Sequence, residues 1–305
     1  MIYTLTLNPA VDYYIDINNF EEGELNKVNN AYTLAGGKGI NVSKVLKNFN
    51  VESTALGFCG GFTGDYIKKH LKEYGIKESF IYLEEDTRIN IKLKTKKTET
   101  EIAGKSPNIS KEKVNELLNY IKDNIKENDI LVLSGSVPNS IESSIYKDII
   151  SNANKNIKVI LDARDEAFKI GLKEKVFLTK PNKKELGEYF NKKIESTEEI
   201  IKYARELIKD GSKNVIVSLG KDGSVLVTEN EVYIGNAPKG KLISSVGAGD
   251  SMVAGIVYGL SNNLSIVDSY KYAIASGSST ACSEMLTTFE NMNKFLEKVE
   301  IKKIN

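Results

Sequence analysis

The sequence predicts an α/β protein: a mostly parallel sheet covered by helices, with a second, smaller sheet standing apart from it. Three observations carry this. Short β-rich runs alternate with longer helical segments, the rhythm of parallel strands joined by crossover helices. Runs such as Ile130-Leu-Val-Leu133 are wholly apolar, as strands buried on both faces are. At two places the rhythm breaks into strands that have no helix between them.

The elements follow in order. The opening segment, Met1-Ile-Tyr-Thr-Leu-Thr-Leu7, reads as a first strand over 2–7, without the basic and apolar regions of a signal peptide. Further strands are expected at 54–58, 130–133, 158–161, 176–178 and 214–217, and helices at 40–48, 64–74, 111–125, 141–153 and 197–209. In the helix over 111–125, Val114, Leu117, Leu118, Ile121 and Ile125 fall at a helical period, and Ser110 supplies the N-cap. The segments 12–20 and 31–34 flank a charged stretch. In 89–94, Ile89, Ile91 and Leu93 alternate with polar residues, and a turn leads into 97–102, which reads as a hairpin. The small sheet is therefore built from insertions at about 10–34 and 87–104 in a single domain spanning 1–305. At 305 residues the chain can bury a full core.

Composition narrows the function. Lys and Arg total 42 and Asp and Glu 41, a formal charge of +1 with the signs interspersed, which argues against a nucleic-acid surface. The basic run Lys92-Leu-Lys-Thr-Lys-Lys97 alternates with apolar and small residues and reads as a solvated strand face. No segment approaches the roughly 20 apolar residues of a membrane span, so a cytoplasmic protein is expected. Cys59 and Cys282 have no metal-ligand spacing and read as free buried thiols. His70, the only histidine, lies on the charged side of an expected helix and reads as solvated. A multi-histidine metal site is impossible, so acid–base chemistry rests on carboxylates, lysines or tyrosines.

Five motifs could carry chemistry. In Ser244-Ser-Val-Gly-Ala-Gly-Asp-Ser251, two glycines precede an apolar helix. The free N–H groups of such a first turn face an anion, and Asp250 places a carboxylate beside it. An anion cradle with a base is what phosphoryl transfer to a hydroxyl requires. Ala35-Gly-Gly-Lys-Gly-Ile-Asn-Val-Ser43 lets a ligand approach the backbone and adds the charge of Lys38 and the amide of Asn41. It also reads as a plain tight connection. Asp12, in Asn8-Pro-Ala-Val-Asp12, stands just past the first strand, where hydroxyls are often bound and turn carboxylates are common. In Lys180-Pro-Asn-Lys-Lys-Glu185, Asn182 and Glu185 share a helix face and suit Mg²⁺ or its waters, and they equally form a capping box. Ser218-Leu-Gly-Lys-Asp-Gly-Ser224 is a turn between two strands. The chain contains no Walker A loop, no dinucleotide-binding glycine pattern after the first strand and no protein-kinase catalytic loop.

Taken in order, these motifs resemble the PfkB (ribokinase-like) family of carbohydrate kinases across nearly the whole chain. The resemblance rests on Gly36–Asn41, on Asn182 with Glu185, and on Gly247–Asp250. Within the family, Leu7–Asp12, Ala35–Val42, Thr87-Arg-Ile-Asn-Ile-Lys92, Ser134-Gly-Ser-Val-Pro138 and Val246–Gly255 look most like the bacterial branch acting on fructose 1-phosphate. The branch acting on tagatose 6-phosphate shares much of the pattern. Ser245 stands where the family usually has Thr, which keeps the hydroxyl. Ala103 stands where the subfamily usually has Asn, which removes any substrate contact by that amide.

The resemblance implies a three-layer ribokinase-like fold whose small sheet is a lid over a sugar phosphate. It implies ATP-dependent phosphorylation of fructose 1-phosphate at its C6 hydroxyl, with another sugar or sugar phosphate, or a non-catalytic sensor on the same fold, as the alternatives. Asp250 is the implied base, with the N–H groups of Gly247, Ala248 and Gly249 on the transferring group. Asp12, Gly36, Gly37 and Asn41 are implied at the sugar, with Ser136 beside it. Lys38 and Arg88 are implied at its existing phosphate, with Lys27 as a further candidate. ATP is implied along Lys180, Asn182, Ser218, Gly220, Asp222, Gly223, Ser276 and Ser279, with Asn182 and Glu185 organising Mg²⁺ through water. A lid sheet with two open edges also invites pairing with a second copy, so a homodimer is expected.

Overall fold

The computed structural model describes residues 1–304. A ten-stranded sheet forms the body. Its strands are β1 (Ile2–Thr6), β4 (Thr54–Gly60), β5 (Lys77–Leu83), β8 (Ile130–Ser134), β9 (Lys158–Asp162), β10 (Val176–Thr179), β11 (Ser212–Ser218), β12 (Ser224–Thr228), β13 (Val232–Gly235) and β14 (Ile301–Ile304). They lie in the order β14-β13-β12-β11-β10-β9-β8-β1-β4-β5. From β5 to β11 every pairing is parallel, and the strands β12 to β14 add an antiparallel extension. The second sheet is separate and has the order β3-β2-β6-β7, from β2 (Ala10–Asp16), β3 (Asn30–Gly36), β6 (Ile89–Lys94) and β7 (Glu99–Ile102).

Helices cover both faces of the large sheet. One face carries α3 (Lys111–Asn124), α4 (Ile145–Asn152), α5 (Asp165–Leu172), α6 (Lys183–Phe190) and α7 (Thr197–Asp210). The other carries α1 (Lys38–Asn48), α8 (Ala248–Ser261), α9 (Ile266–Ala281) and α10 (Phe289–Leu296). The helix α2 (Gly61–Glu73) packs on β4 and β5 and on the root of the small sheet. Strand alternation sorts the core: Tyr3, Leu5, Leu131, Leu133 and Leu161 face the first set, and Ile2, Ile130, Val132 and Ile160 face the second. In α3, Leu117 and Ile121 are buried with Val114 and Leu118 packed beside them, and the Ser110 side chain accepts from the Lys113 N–H. Among the described residues no helix is long and apolar enough to cross a membrane.

Three expectations need correction. The alternation in β6 is interrupted: Ile89 is exposed while Asn90 is buried, because Asn90 donates to Asp12 across the small sheet. The second face of that sheet is thus a lining, not a solvent face. His70 is half-buried, with its ring between those of Tyr66 and Tyr74 at 6.0 and 6.3 Å. Cys59 is fully buried, and Cys282 only partly so.

Candidate active site

Parallel strands deliver their carboxyl ends to one edge, where ligands of open α/β sheets bind. Alternation aims Thr6, Ser134 and Asp162 at the α1/α8 face of that edge, and Lys180 follows the end of β10. Thr6 Oγ1 accepts from the Ile40 N–H at 3.1 Å and so pins the start of α1. Gly37 caps α1 at φ 134°, a conformation that L side chains rarely adopt. A Cβ there would lie 2.6 Å from Thr6 Cγ2, so the turn is packed hard onto the strand.

The helix α8 begins after Gly247, whose φ of 76° is left-handed, and no side chain caps it. The Ala248 N–H turns back to the Ser245 carbonyl at 3.3 Å. Asp250 lies in the first turn, 7% exposed, and accepts from Asn41 Nδ2 at 2.8 Å. This bond brings the N-terminal turns of α1 and α8 together, so the positive ends of two helix dipoles converge beside one carboxylate. Burial pushes the Asp250 carboxyl up to about 6, with Asp162 adding to the rise and Lys38, Asn41 and Lys180 opposing it.

Asp162 was not singled out from the sequence, yet it organises the charges here. It is 2% exposed, with Lys38 Nζ at 3.4 Å and Lys180 Nζ at 3.5 Å. Burial alone would raise its carboxyl, but the two ammonium groups outweigh burial and hold it below its ordinary value. Asp162 in turn raises Lys38. Lys180 is 5% exposed, and a Cβ on Gly249 would stand 3.2 Å from its Nζ, so this cation sits against the start of α8. The signal for Asp162 is a single acidic residue closing the apolar run Val159–Leu161 at the carboxyl edge.

Asp12 lies on the lid side. Its Oδ1 accepts from Asn90 Nδ2 at 2.9 Å, and burial raises its carboxyl. A Cβ on Gly36 would fall 2.2 Å from Asp12 Oδ2, so that glycine is required for the carboxylate to occupy its place. Arg88 donates from Nη2 to the Asn8 carbonyl at 2.9 Å and from Nε to Pro9 at 3.4 Å. The structure separates the two cations that the sequence reading grouped. Lys38 faces Asp162, Asp250 and Glu185, whereas Arg88 faces Asp12, Glu101 and Arg164.

The reciprocal capping box forms: Glu185 N–H donates to Asn182 Oδ1 and Asn182 N–H to Glu185 Oε2, both at 2.9 Å. Glu185 retains its second oxygen and faces Lys38, a donor set that fits Mg²⁺ held through water. An isolated bridge joins Asn182 to Ser218, so the turn after β11 lies beside this helix start. There Gly220 and Gly223 take φ of 60° and 93°, and Asp222 is exposed. Ser136 is half-buried just past β8. Lys27 is exposed in the loop between β2 and β3, with no hydrogen bond or ion pair among the described residues. Ser276 and Ser279 do not reach the site surface. Both are fully buried in α9, and the Ser279 hydroxyl is bonded to Thr287 Oγ1 at 2.7 Å. The Ser276 hydroxyl is buried too, without a hydrogen-bond partner among the described residues, so neither side chain opens onto the site in this structure.

The sequence profile of pfkB family carbohydrate kinases matches residues 5–291. The chain belongs to the pfkB family of carbohydrate kinases. A 1-phosphofructokinase of Bacillus subtilis (strain 168) is 45% identical over 305 residues, covering 100% of both chains. A tagatose-6-phosphate kinase of Staphylococcus epidermidis (strain ATCC 12228 / FDA PCI 1200) is 35% identical over 301 residues, covering 97% of each. The crystal structure of phosphofructokinase-2 from Escherichia coli in complex with fructose-6-phosphate superposes with a TM-score of 0.90 at 27% identity, covering 97% of this chain and 98% of that one. The ten-stranded sheet and separate small sheet are thus the PfkB architecture, and the convergence around Asp250 lies within a carbohydrate kinase.

Proposed function

We propose that the protein transfers the γ-phosphoryl group of ATP to the C6 hydroxyl of D-fructose 1-phosphate, giving the 1,6-bisphosphate. The observation that carries the chemistry is Asp250: a buried carboxylate, raised to about 6, in the uncapped first turn of α8. A base titrating near there is ionised at neutral pH and can still take a proton from the attacking hydroxyl. Asn41 holds its Oδ2, leaving Oδ1 for the substrate. The N–H groups of Gly247 and Gly249 stabilise charge on the group in transfer, while the Ala248 N–H is held by the Ser245 carbonyl, and Lys38 and Lys180 flank the site, both held by Asp162. Asn182 and Glu185 would hold Mg²⁺ through water; the ion, when bound, screens the nucleotide phosphates. ATP is read along Lys180, the Ser218–Gly223 turn and Asp222.

On the sugar side, Asp12 accepts from a hydroxyl, with Asn90 orienting it. Arg88 takes the existing phosphate with a bidentate fork. Burial lowers Arg88, with Asp12 and Glu101 opposing and Arg164 adding a smaller lowering, and a bound phosphate would restore a counter-charge to this buried cation. Lys38 moves, in this reading, from the existing phosphate to the phosphoryl in transfer. The full-length similarity to the B. subtilis 1-phosphofructokinase favours fructose 1-phosphate over tagatose 6-phosphate. The test is ADP release measured over fructose 1-phosphate, fructose 6-phosphate, tagatose 6-phosphate and ribose. Highest kcat/KM on fructose 1-phosphate supports the proposal.

We also propose that two copies pair through their lid sheets. Phe20, Leu25, Val28, Tyr32, Ile89 and Ile102 are all exposed on the lid strands and their connecting loop. Apolar groups concentrated on one small sheet are the mark of an interface.

A further inference from the structure

Lys44 is a buried cation that none of the chemistry above uses. It lies on α1, 5% exposed, one helical turn beyond Ile40, which belongs to the apolar cluster at the root of the lid with Val11, Ala35, Ile67 and Leu71. Its ammonium makes one recorded hydrogen bond, from Nζ to the Ala35 carbonyl at 2.6 Å. Ala35 is the last residue before the Gly36–Gly37 turn, where the lid strand β3 passes into α1. That turn is the one whose backbone leaves room for Asp12. A buried ammonium with one acceptor is costly and persists only where something compensates it. Here burial dominates, and the charge of Asp12 opposes it without offsetting it.

We propose that Lys44 is a positioning residue for the sugar site: it anchors the Ala35 carbonyl and so fixes the Gly36–Gly37 turn beside Asp12. This rests on the sugar-kinase reading of the site. Burial lowers the Lys44 ammonium to about 8, opposed by Asp12; His70 of α2 also faces it, lowered first by its own burial and further by the charge of Lys44. Loss of its proton falls within the working range of an enzyme and turns a charge-assisted hydrogen bond to Ala35 into a weaker neutral one, so the turn loosens and sugar affinity should fall as pH rises through 8. The sign for folding is opposite. A lysine whose folded value lies below its unfolded one contributes stability as pH rises through that window. Weaker sugar binding without loss of the fold is thus the signature.

The experiment measures KM for fructose 1-phosphate, KM for ATP and kcat from pH 6.5 to 9.5, for the unaltered protein, Lys44→Met and Lys44→Arg. In the unaltered protein the sugar KM should rise at least tenfold above pH 8, with kcat and the ATP KM changing less than twofold. Lys44→Met should show a sugar KM at least tenfold higher at pH 7 and no further alkaline rise. Lys44→Arg, whose charge persists, should restore the low KM and keep it through pH 9.5. A folded Lys44→Met protein with an unaltered sugar KM, or with the alkaline rise intact, overturns the proposal. If the variants give no cooperative thermal transition, the profile of the unaltered protein decides: a flat sugar KM overturns the proposal, and a rise confined to that KM supports it. Absence of kinase activity on every sugar phosphate refutes the functional reading instead, which keeps the two failures distinct.

Discussion

Asp250 is where the chemistry and the cost of the site meet. Replacing it with Ala should leave the fold intact and lower kcat by about 10²–10⁴, the range ascribed to a positioned general base; steady-state turnover together with circular dichroism checks this. Because its carboxyl titrates at about 6, kcat should fall roughly tenfold per pH unit below that value. The same burial destabilises the protein. The folded value lies above the unfolded one, so the cost is complete above about pH 6 and fades as pH falls towards the unfolded value near ~4. Asp250→Asn, which relieves a buried charge worth roughly 3 kcal/mol, should raise the melting temperature by a few degrees at pH 8 and by much less at pH 4. An unchanged melting temperature at pH 8 would mean that Lys38 and Lys180 already neutralise the carboxylate. Asp162 belongs to the same scale. It anchors both lysines, so Asp162→Asn should weaken ATP binding and turnover together.

At the level of elements, glycine turns and helix starts decide the geometry. Gly36→Ala would drive a Cβ into Asp12. The sugar KM should rise at least tenfold while the ATP KM stays within twofold, measured by the same turnover assay. Most of these elements were legible in the sequence: the apolar strands of the parallel sheet, the period of α3, the two glycine motifs at the starts of α1 and α8, and the separate small sheet. The capping box at Asn182 and Glu185 was legible too, since both partners are local. What was hidden depended on distant elements meeting. Asp162 gains its partners from α1 and from the end of β10, and Asn90 gains its meaning only when β6 pairs with β2. Lys44 carries no local signal of burial, because the lid root that buries it comes from elsewhere in the chain. Ser276 and Ser279 carry an ambiguous signal for the converse reason: close packing of α8 on α9 selects small residues whether or not a ligand lies nearby.

The whole molecule is a three-layer body carrying a small separate sheet, and the proposed substrate groups are divided between the two. Asp12, Arg88 and Asn90 belong to the lid side, while Lys38, Asp162, Lys180 and Asp250 belong to the body. A sugar phosphate touching both would close the cleft and exclude water from the transfer. The exposed apolar lid residues lead to the expectation of a dimer by sedimentation at micromolar concentration, and of a shift towards monomer for Ile102→Lys, which sits 53% exposed on β7. A monomer before any substitution would contradict the pairing. The central claim is substrate and reaction together, and ADP release across the four acceptors tests it most directly. The structure and the family predict the highest kcat/KM on fructose 1-phosphate, with ribose poorest because it offers Arg88 no phosphate; a higher kcat/KM on tagatose 6-phosphate, fructose 6-phosphate or ribose would contradict the account.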